Sequence, residues 1–177
     1  LISIFFYKYY FKKEEKIDEV KIEIDNENLG ENQNNLIKNL RYEAKFDDNK
    51  QYIITAELSE LSYVDNSEIV NMQKVSAKFI DEKNLPLIII SDKAKYNNSN
   101  YNTNFYGNIV IKYKDSTINS ENLDLDFVKN IVKIYNNVVY EGLTGSAKTD
   151  NIQIDLITKK INIFMNNANN KVKILSK

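Results

Sequence analysis

From Arg41 onward the chain is written in a two-residue code. Tyr52, Ile54, Ala56 and Leu58 fall on one side of an extended segment, with Thr55 and Glu57 on the other. Val75, Ala77 and Phe79 alternate with Ser76 and Lys78, and Phe105, Gly107, Ile109, Ile111 and Tyr113 keep a single phase. Leu123, Leu125 and Phe127 alternate with Asp124 and Asp126, and Ile152, Ile154 and Leu156 with Gln153 and Asp155. Ile161 and Ile163 repeat the pattern, as do Val172 and Ile174. A helix needs apolar residues three and four apart, and that spacing is nearly absent. Segments with one apolar and one polar face, joined by polar turns, predict an all-β fold of antiparallel strands with one face of the sheet covered. The apolar phase, including Ile54, Ala56, Val75, Ala77, Phe79, Ile109, Ile111, Leu125, Phe127, Val138 and Ile154, is expected to point inward.

A longer period runs through the alternation. Ser91-Asp92-Lys93-Ala94-Lys95-Tyr96, Ser120-Glu121-Asn122-Leu123-Asp124-Leu125 and Thr149-Asp150-Asn151-Ile152-Gln153-Ile154 open alike, with 29 residues from Ser91 to Ser120 and 29 from Ser120 to Thr149. At the same offset inside the unit, Gly107-Asn108-Ile109 falls on Asn136-Asn137-Val138. A strand-turn-strand unit repeated in this way predicts stacked hairpins.

Composition narrows the chemistry. With no His and no Cys, histidine or thiolate catalysis, imidazole or thiolate metal sites and disulfides are excluded. The formal net charge of -1 lacks the basic surplus of a nucleic-acid binder. The 27 Asn and 24 Ile fit an AT-rich coding bias better than any Asn-specific chemistry, and they favour turns and strands respectively. Four Gly cannot build a phosphate loop; Gly142 and Gly145 flank a Leu-Thr turn and are expected to supply positive φ. Asp47-Asp48-Asn49 lacks the spacing of a calcium loop and reads as a hairpin turn. Asp124 and Asp126 share one strand face, which reads as solvated rather than as an acid/base pair. No catalytic residue, metal site or cofactor is expected. Tyr96, Phe105, Tyr106, Tyr113 and Phe127 are in phase with Ile and Leu, which favours core or apolar groove lining over stacking on sugars or bases.

The N-terminal part has a different character. Residues 1–11, LISIFFYKYYF, are too short to span a bilayer, which needs about 20 apolar residues. Tyr7, Tyr9 and Tyr10 beside Lys8, Lys12 and Lys13 nonetheless match the aromatic and basic belt at the end of a membrane helix. Residues 1–13 are therefore expected to be the end of a transmembrane anchor, with a hydrophobic strand as the other reading. Residues 14–40 read as a polar tether in which 21–25 alternates as a short strand, and the β domain is expected over 41–177.

The runs Ile90 to Tyr96, Phe105 to Ile111 and Ile118 to Leu125, preceded by Tyr52-Ile53-Ile54-Thr55-Ala56-Glu57 and Val75-Ser76-Ala77-Lys78-Phe79, resemble the LptC family, which is related to OstA-like domains. The likeness covers about 41–165, with anchor and tether in the expected order. Two departures stand out. Thr149-Asp150-Asn151-Ile152 replaces a Gly usual in the last unit, and Lys12 and Lys13 run against the positive-inside tendency. The resemblance implies a twisted, open β-jellyroll anchored in the inner membrane of a Gram-negative bacterium, with its main domain in the periplasm. It implies no enzymatic activity. It further implies an apolar groove for lipopolysaccharide, lined by Ile54, Ala56, Val75, Ala77, Phe79, Phe105, Ile109, Ile111, Leu125, Phe127, Val138 and Ile154. The implied partners are an ABC transporter of lipopolysaccharide export and an LptA-like bridge protein, the latter joined at a C-terminal edge carrying Val172 and Ile174. A soluble LptA-like bridge and a carbohydrate-binding or hydrolytic β domain are the alternatives.

Overall fold

The computed structural model describes residues 19–25, 35–47, 50–80, 86–126, 128–158 and 160–176. They form one antiparallel sheet whose strands follow chain order: β1 (Glu19–Asp25), β2 (Leu36–Asp47), β3 (Lys50–Val64), β4 (Ser67–Ile80), β5 (Pro86–Asn97), β6 (Thr103–Tyr113), β7 (Ser116–Asp126), β8 (Ile131–Gly142), β9 (Gly145–Asp155) and β10 (Ile161–Phe164). The short β11 (Lys173–Ser176) also pairs with β9. The all-β antiparallel fold expected from the alternation is therefore present, as one open sheet consistent with the open jellyroll that the resemblance implies. Its turns follow the local chemistry. Asp65 and Asn66 both take positive φ between Val64 and Ser67, as a two-residue hairpin of matching twist requires. Asp47 pairs with Lys50, as the Asp47-Asp48-Asn49 turn predicts, although Asp48 and Asn49 lie outside the described residues.

The strands are long, and each of β2 to β9 is broken once along a line that crosses the sheet. On even-numbered strands the break is a left-handed residue or pair: Asn39, Lys74, Gly107-Asn108 and Asn136-Asn137, with φ between 46° and 79°. On odd-numbered strands the buried phase slips by one residue, from Ala56 to Ser59, Ser91 to Ala94, Ser120 to Leu123 and Thr149 to Ile152. The register shifts at the same level between β5 and β6, β6 and β7, β7 and β8, and β8 and β9. Such bulges bend a strand and increase its twist. Aligned from β2 to β9 they make a crease.

The 29-residue repeat is this crease. The hydroxyl that opens each unit bonds across the bulge to the carbonyl two residues on: Ser91 Oγ to Lys93 O at 2.9 Å, Ser120 Oγ to Asn122 O at 3.3 Å and Thr149 Oγ1 to Asn151 O at 3.3 Å. An acid at the bulge is held by the neighbouring strand. Lys74 Nζ pairs with Glu57 at 2.7 Å, Asn108 Nδ2 donates to Asp92 at 2.7 Å and Asn137 Nδ2 donates to Glu121 at 2.5 Å. Gly107, at φ 79°, sits where a side chain would be strained, and a Cβ 3.0 Å from Asp92 Oδ2 would also push that carboxylate aside.

Three expectations need correction. Leu58 does not continue the face of Tyr52, Ile54 and Ala56, because the bulge at Glu57 turns Ser59 inward instead. Gly142 and Gly145 have no positive φ; Gly107 alone among the described glycines does. At Gly145 the constraint is space, since a Cβ there would strike the Leu175 carbonyl of β11. Finally, the stretch 14–40 contributes β1 and the first residues of β2, because the alternating Glu19–Asp25 pairs with β2 from Lys45 to Lys38. Residues 1–13, read as the end of an anchor, lie outside the described residues.

The crease generates a testable contrast. Asn137→Val places a β-branched residue at φ 53° and should cost about 1–2 kcal/mol in urea unfolding. Asn137→Gly, which accepts that backbone, should stay within about 0.5 kcal/mol of the natural chain.

Candidate functional site

Rolling the creased sheet gathers the inward phase into one apolar body. Leu40, Ile54, Met72, Val75, Ile89, Phe105, Ile109, Leu123, Ile134, Val138 and Ile152, from β2 to β9, belong to a single buried cluster. Of the twelve groove positions expected from sequence, Ile54, Ala56, Val75, Ala77, Phe105, Ile109, Ile111, Leu125 and Val138 are buried within it, at 0–4% exposure. Phe79 and Ile154 are partly buried against it. Phe127 lies outside the described residues. The residues that the simple alternation missed, such as Met72, Ala94 and Ser59, sit beyond the crease, where the inward phase has switched. Ser59 is the odd member. Its Oγ is buried without a hydrogen-bond partner among the described residues, in the place that Ala94, Leu123 and Ile152 take on β5, β7 and β9.

The carboxylates are turned the other way. Asp124 accepts from Asn104 Nδ2 at 2.8 Å and from Tyr135 at 3.4 Å on the outer surface. Asp126 accepts the Lys129 backbone N–H at 3.0 Å, and that bond, with the Lys129 ammonium, holds its carboxyl below the usual carboxylate range. These are turn and strand-surface contacts, without the convergence that two acid/base groups need.

The apolar face does not end at β9. Ile161 of β10 stands opposite Ile154, and Ile163 opposite Ile152, so both continue the inward face of β9. Ile174 of β11 stands opposite Ala147, on the same face of the other half of β9. Here the cover stops: Ile161, Ile163 and Ile174 are 58%, 48% and 76% exposed. β10 and β11 together form one edge strand, interrupted where it meets the crease. The interruption is pinned by Thr149 Oγ1 to Phe164 O at 2.9 Å, Asn151 Nδ2 to Asn166 Oδ1 at 2.7 Å and Asn166 N to Asp150 Oδ2 at 2.9 Å. Of the two expected edge residues, Ile174 is in β11, whereas Val172 precedes it and is half-buried.

The opposite part of the interior is closed by contacts between strands that are not neighbours. The Tyr96 hydroxyl of β5 donates to the Tyr42 hydroxyl of β2 at 3.1 Å, with ring centroids 5.3 Å apart. Tyr52 of β3 has Thr103 of β6 beside its hydroxyl. Burial drives the Tyr42, Tyr52 and Tyr96 phenols above their ordinary pKa. A raised folded-state pKa favours the protonated form, so the stability it supports is complete below the unfolded value of about 10 and falls as pH rises past it. Urea midpoints measured from pH 9 to 12 should therefore drop steeply above about pH 10, and replacing all three tyrosines with Phe should flatten the drop.

A family model described as lipopolysaccharide-assembly, LptC-related, matches residues 1–167. No curated protein matches the chain.

Proposed function

The chain belongs to the LptC-related family of lipopolysaccharide assembly and so has a role in lipopolysaccharide transport, and on that premise we propose that its interior carries the lipid's acyl chains and hands them to a partner at the β10–β11 edge. The observation that carries this reading is the continuity of one apolar face, sealed from β2 to β9 and exposed at Ile161, Ile163 and Ile174. Each CH₂ moved from water onto such a face contributes about 0.8 kcal/mol, so several acyl chains need few polar contacts. No bond is made or broken, and the outward carboxylates have no part in the work. The lipid enters from an ABC transporter. It leaves along an LptA-like periplasmic protein that adds a strand to the free edge, satisfying the N–H and C=O groups an edge strand presents. The domain works in the periplasm, tethered to the inner membrane through residues 1–13; among the described residues no helix is long and apolar enough to cross a membrane. No nucleic acid, cofactor or metal takes part in this scheme.

Photo-crosslinking in cells tests the interior. Probes at Phe79, Phe105 and Ile163 should capture lipopolysaccharide, with Ile163 strongest because it is the exposed one of the three. Probes at Lys78 and Asp124, on the outer face, should not. Equal capture on both faces would refute a lipid-lined interior.

The edge has its own test. Ile174 is 76% exposed, so Ile174→Asp removes apolar surface without opening the core. It should leave the melting temperature within about 2 °C and weaken binding of the LptA-like partner at least tenfold. Undiminished binding after this change and after deletion of 171–177 would move the junction elsewhere.

A further inference from the structure

One set of polar side chains sits inside the apolar interior, where rings alone would fill the space. Tyr42 and Tyr96 are each 5% exposed, and their hydroxyls are hydrogen-bonded to each other. Because β2 and β5 are three strands apart in the sheet, that bond runs from one wall of the interior to the other. Tyr52 lies edge-on to Tyr42, with centroids 6.5 Å apart, and stacks on Phe79 at 4.3 Å. The rings Tyr96, Tyr42, Tyr52 and Phe79 thus form a belt, and three of the four carry a hydroxyl into the core. Phe79 shows that the belt accepts a ring without one.

A phenol out of water is unfavourable unless its hydroxyl is bonded, and here the Tyr96 hydroxyl donates to that of Tyr42. Anything that parts the walls at this level separates them. A bare hydrocarbon would leave both unpaired. A carbonyl oxygen, with two lone pairs, can accept from both. A phenol, with an ordinary pKa of about 10, is protonated and hence a donor at neutral pH.

We propose that the Tyr42–Tyr96 pair, with Tyr52 and Thr103 beside it, is a recognition site for the carbonyl oxygen of an acyl linkage. The acyl chain lies along the apolar face, and its ester or amide carbonyl accepts from both hydroxyls as the walls part and the Tyr96–Tyr42 bond is given up. This rests on the lipid-carrying reading above and adds the group that is recognised. A site built on hydrogen bonds discriminates against an analogue that lacks the partner oxygen.

The test compares two glycolipid probes of equal chain length, one with ester-linked and one with ether-linked chains, binding to the full chain. The natural protein should prefer the ester by about tenfold, equivalent to about 1.4 kcal/mol. Tyr42→Phe/Tyr96→Phe, which keeps both rings, should lose the preference while binding the ether probe as before. A second measurement needs no variant: the ester carbonyl stretch of an isotope-labelled probe should move to lower frequency when bound to the natural protein. No ester preference, a preference that survives the double substitution, or an unshifted carbonyl band would each overturn the proposal. Crosslinking at Phe105 separates the two levels. Capture of lipid without ester preference overturns only the carbonyl site, whereas failure to bind either probe, with no capture, overturns the lipid-carrying reading and this inference together.

Discussion

Everything in this fold depends on one geometric constraint: strands of up to 15 residues must keep an apolar face inward while the sheet rolls on itself. A regular strand cannot do both, since its twist carries the inward face out of line over that length. The crease resolves the conflict. Each strand from β2 to β9 is irregular at this level: β2, β3, β4, β5, β7 and β9 shift their buried phase by one residue, whereas β6 and β8 insert a left-handed pair and keep theirs, and side chains bond across the break. A hydroxyl closes each of three bulges, and Lys or Asn from the adjacent strand holds the acid. The Asn-rich composition thereby finds a structural use, because Asn is among the few residues that tolerate positive φ, and it occupies the crease at positions 39, 108, 136 and 137.

Much of this is legible in the sequence, and physical reasons account for the remainder. Alternation identifies the strands and nine of the buried inward positions, because burial on one face of a sheet writes itself with period two. The 29-residue spacing is visible at Ser91, Ser120 and Thr149, yet its meaning is not. A Ser-Asp pair in a strand does not announce a bulge until the neighbouring left-handed residues are seen opposite. Simple alternation puts Leu58 on the inward face, where Ser59 belongs, for that reason. The contact between β2 and β5 is out of reach altogether, since Tyr42 and Tyr96 are 54 residues apart and meet through the roll rather than through any local pattern.

The same geometry explains why the two ends of the interior differ. Near β2 to β6 the walls meet through aromatic rings and hydroxyls. Toward β9, among the described residues, no facing wall covers the inward face, which runs out onto an edge made of two four-residue strands. Short edge strands with Lys nearby are poor templates for uncontrolled pairing. Gly145 lets that edge lie close, since any side chain there would displace Leu175. The matched family region ends at residue 167, so β10 lies inside it and β11 beyond it.

Whether lipid occupies the rolled interior and not the outer surface can be read from isoleucine methyl resonances. Among the described residues, Ile side chains lie on both faces of the sheet. On titration with lipopolysaccharide, the methyls of Ile54, Ile89, Ile109, Ile111, Ile134 and Ile152, together with exposed Ile161 and Ile163, should shift, while Ile53 and Ile90 on the outer face stay in place. Shifts confined to Ile53, Ile90 and their outer neighbours, or spread evenly over both faces, would contradict a lipid-filled interior.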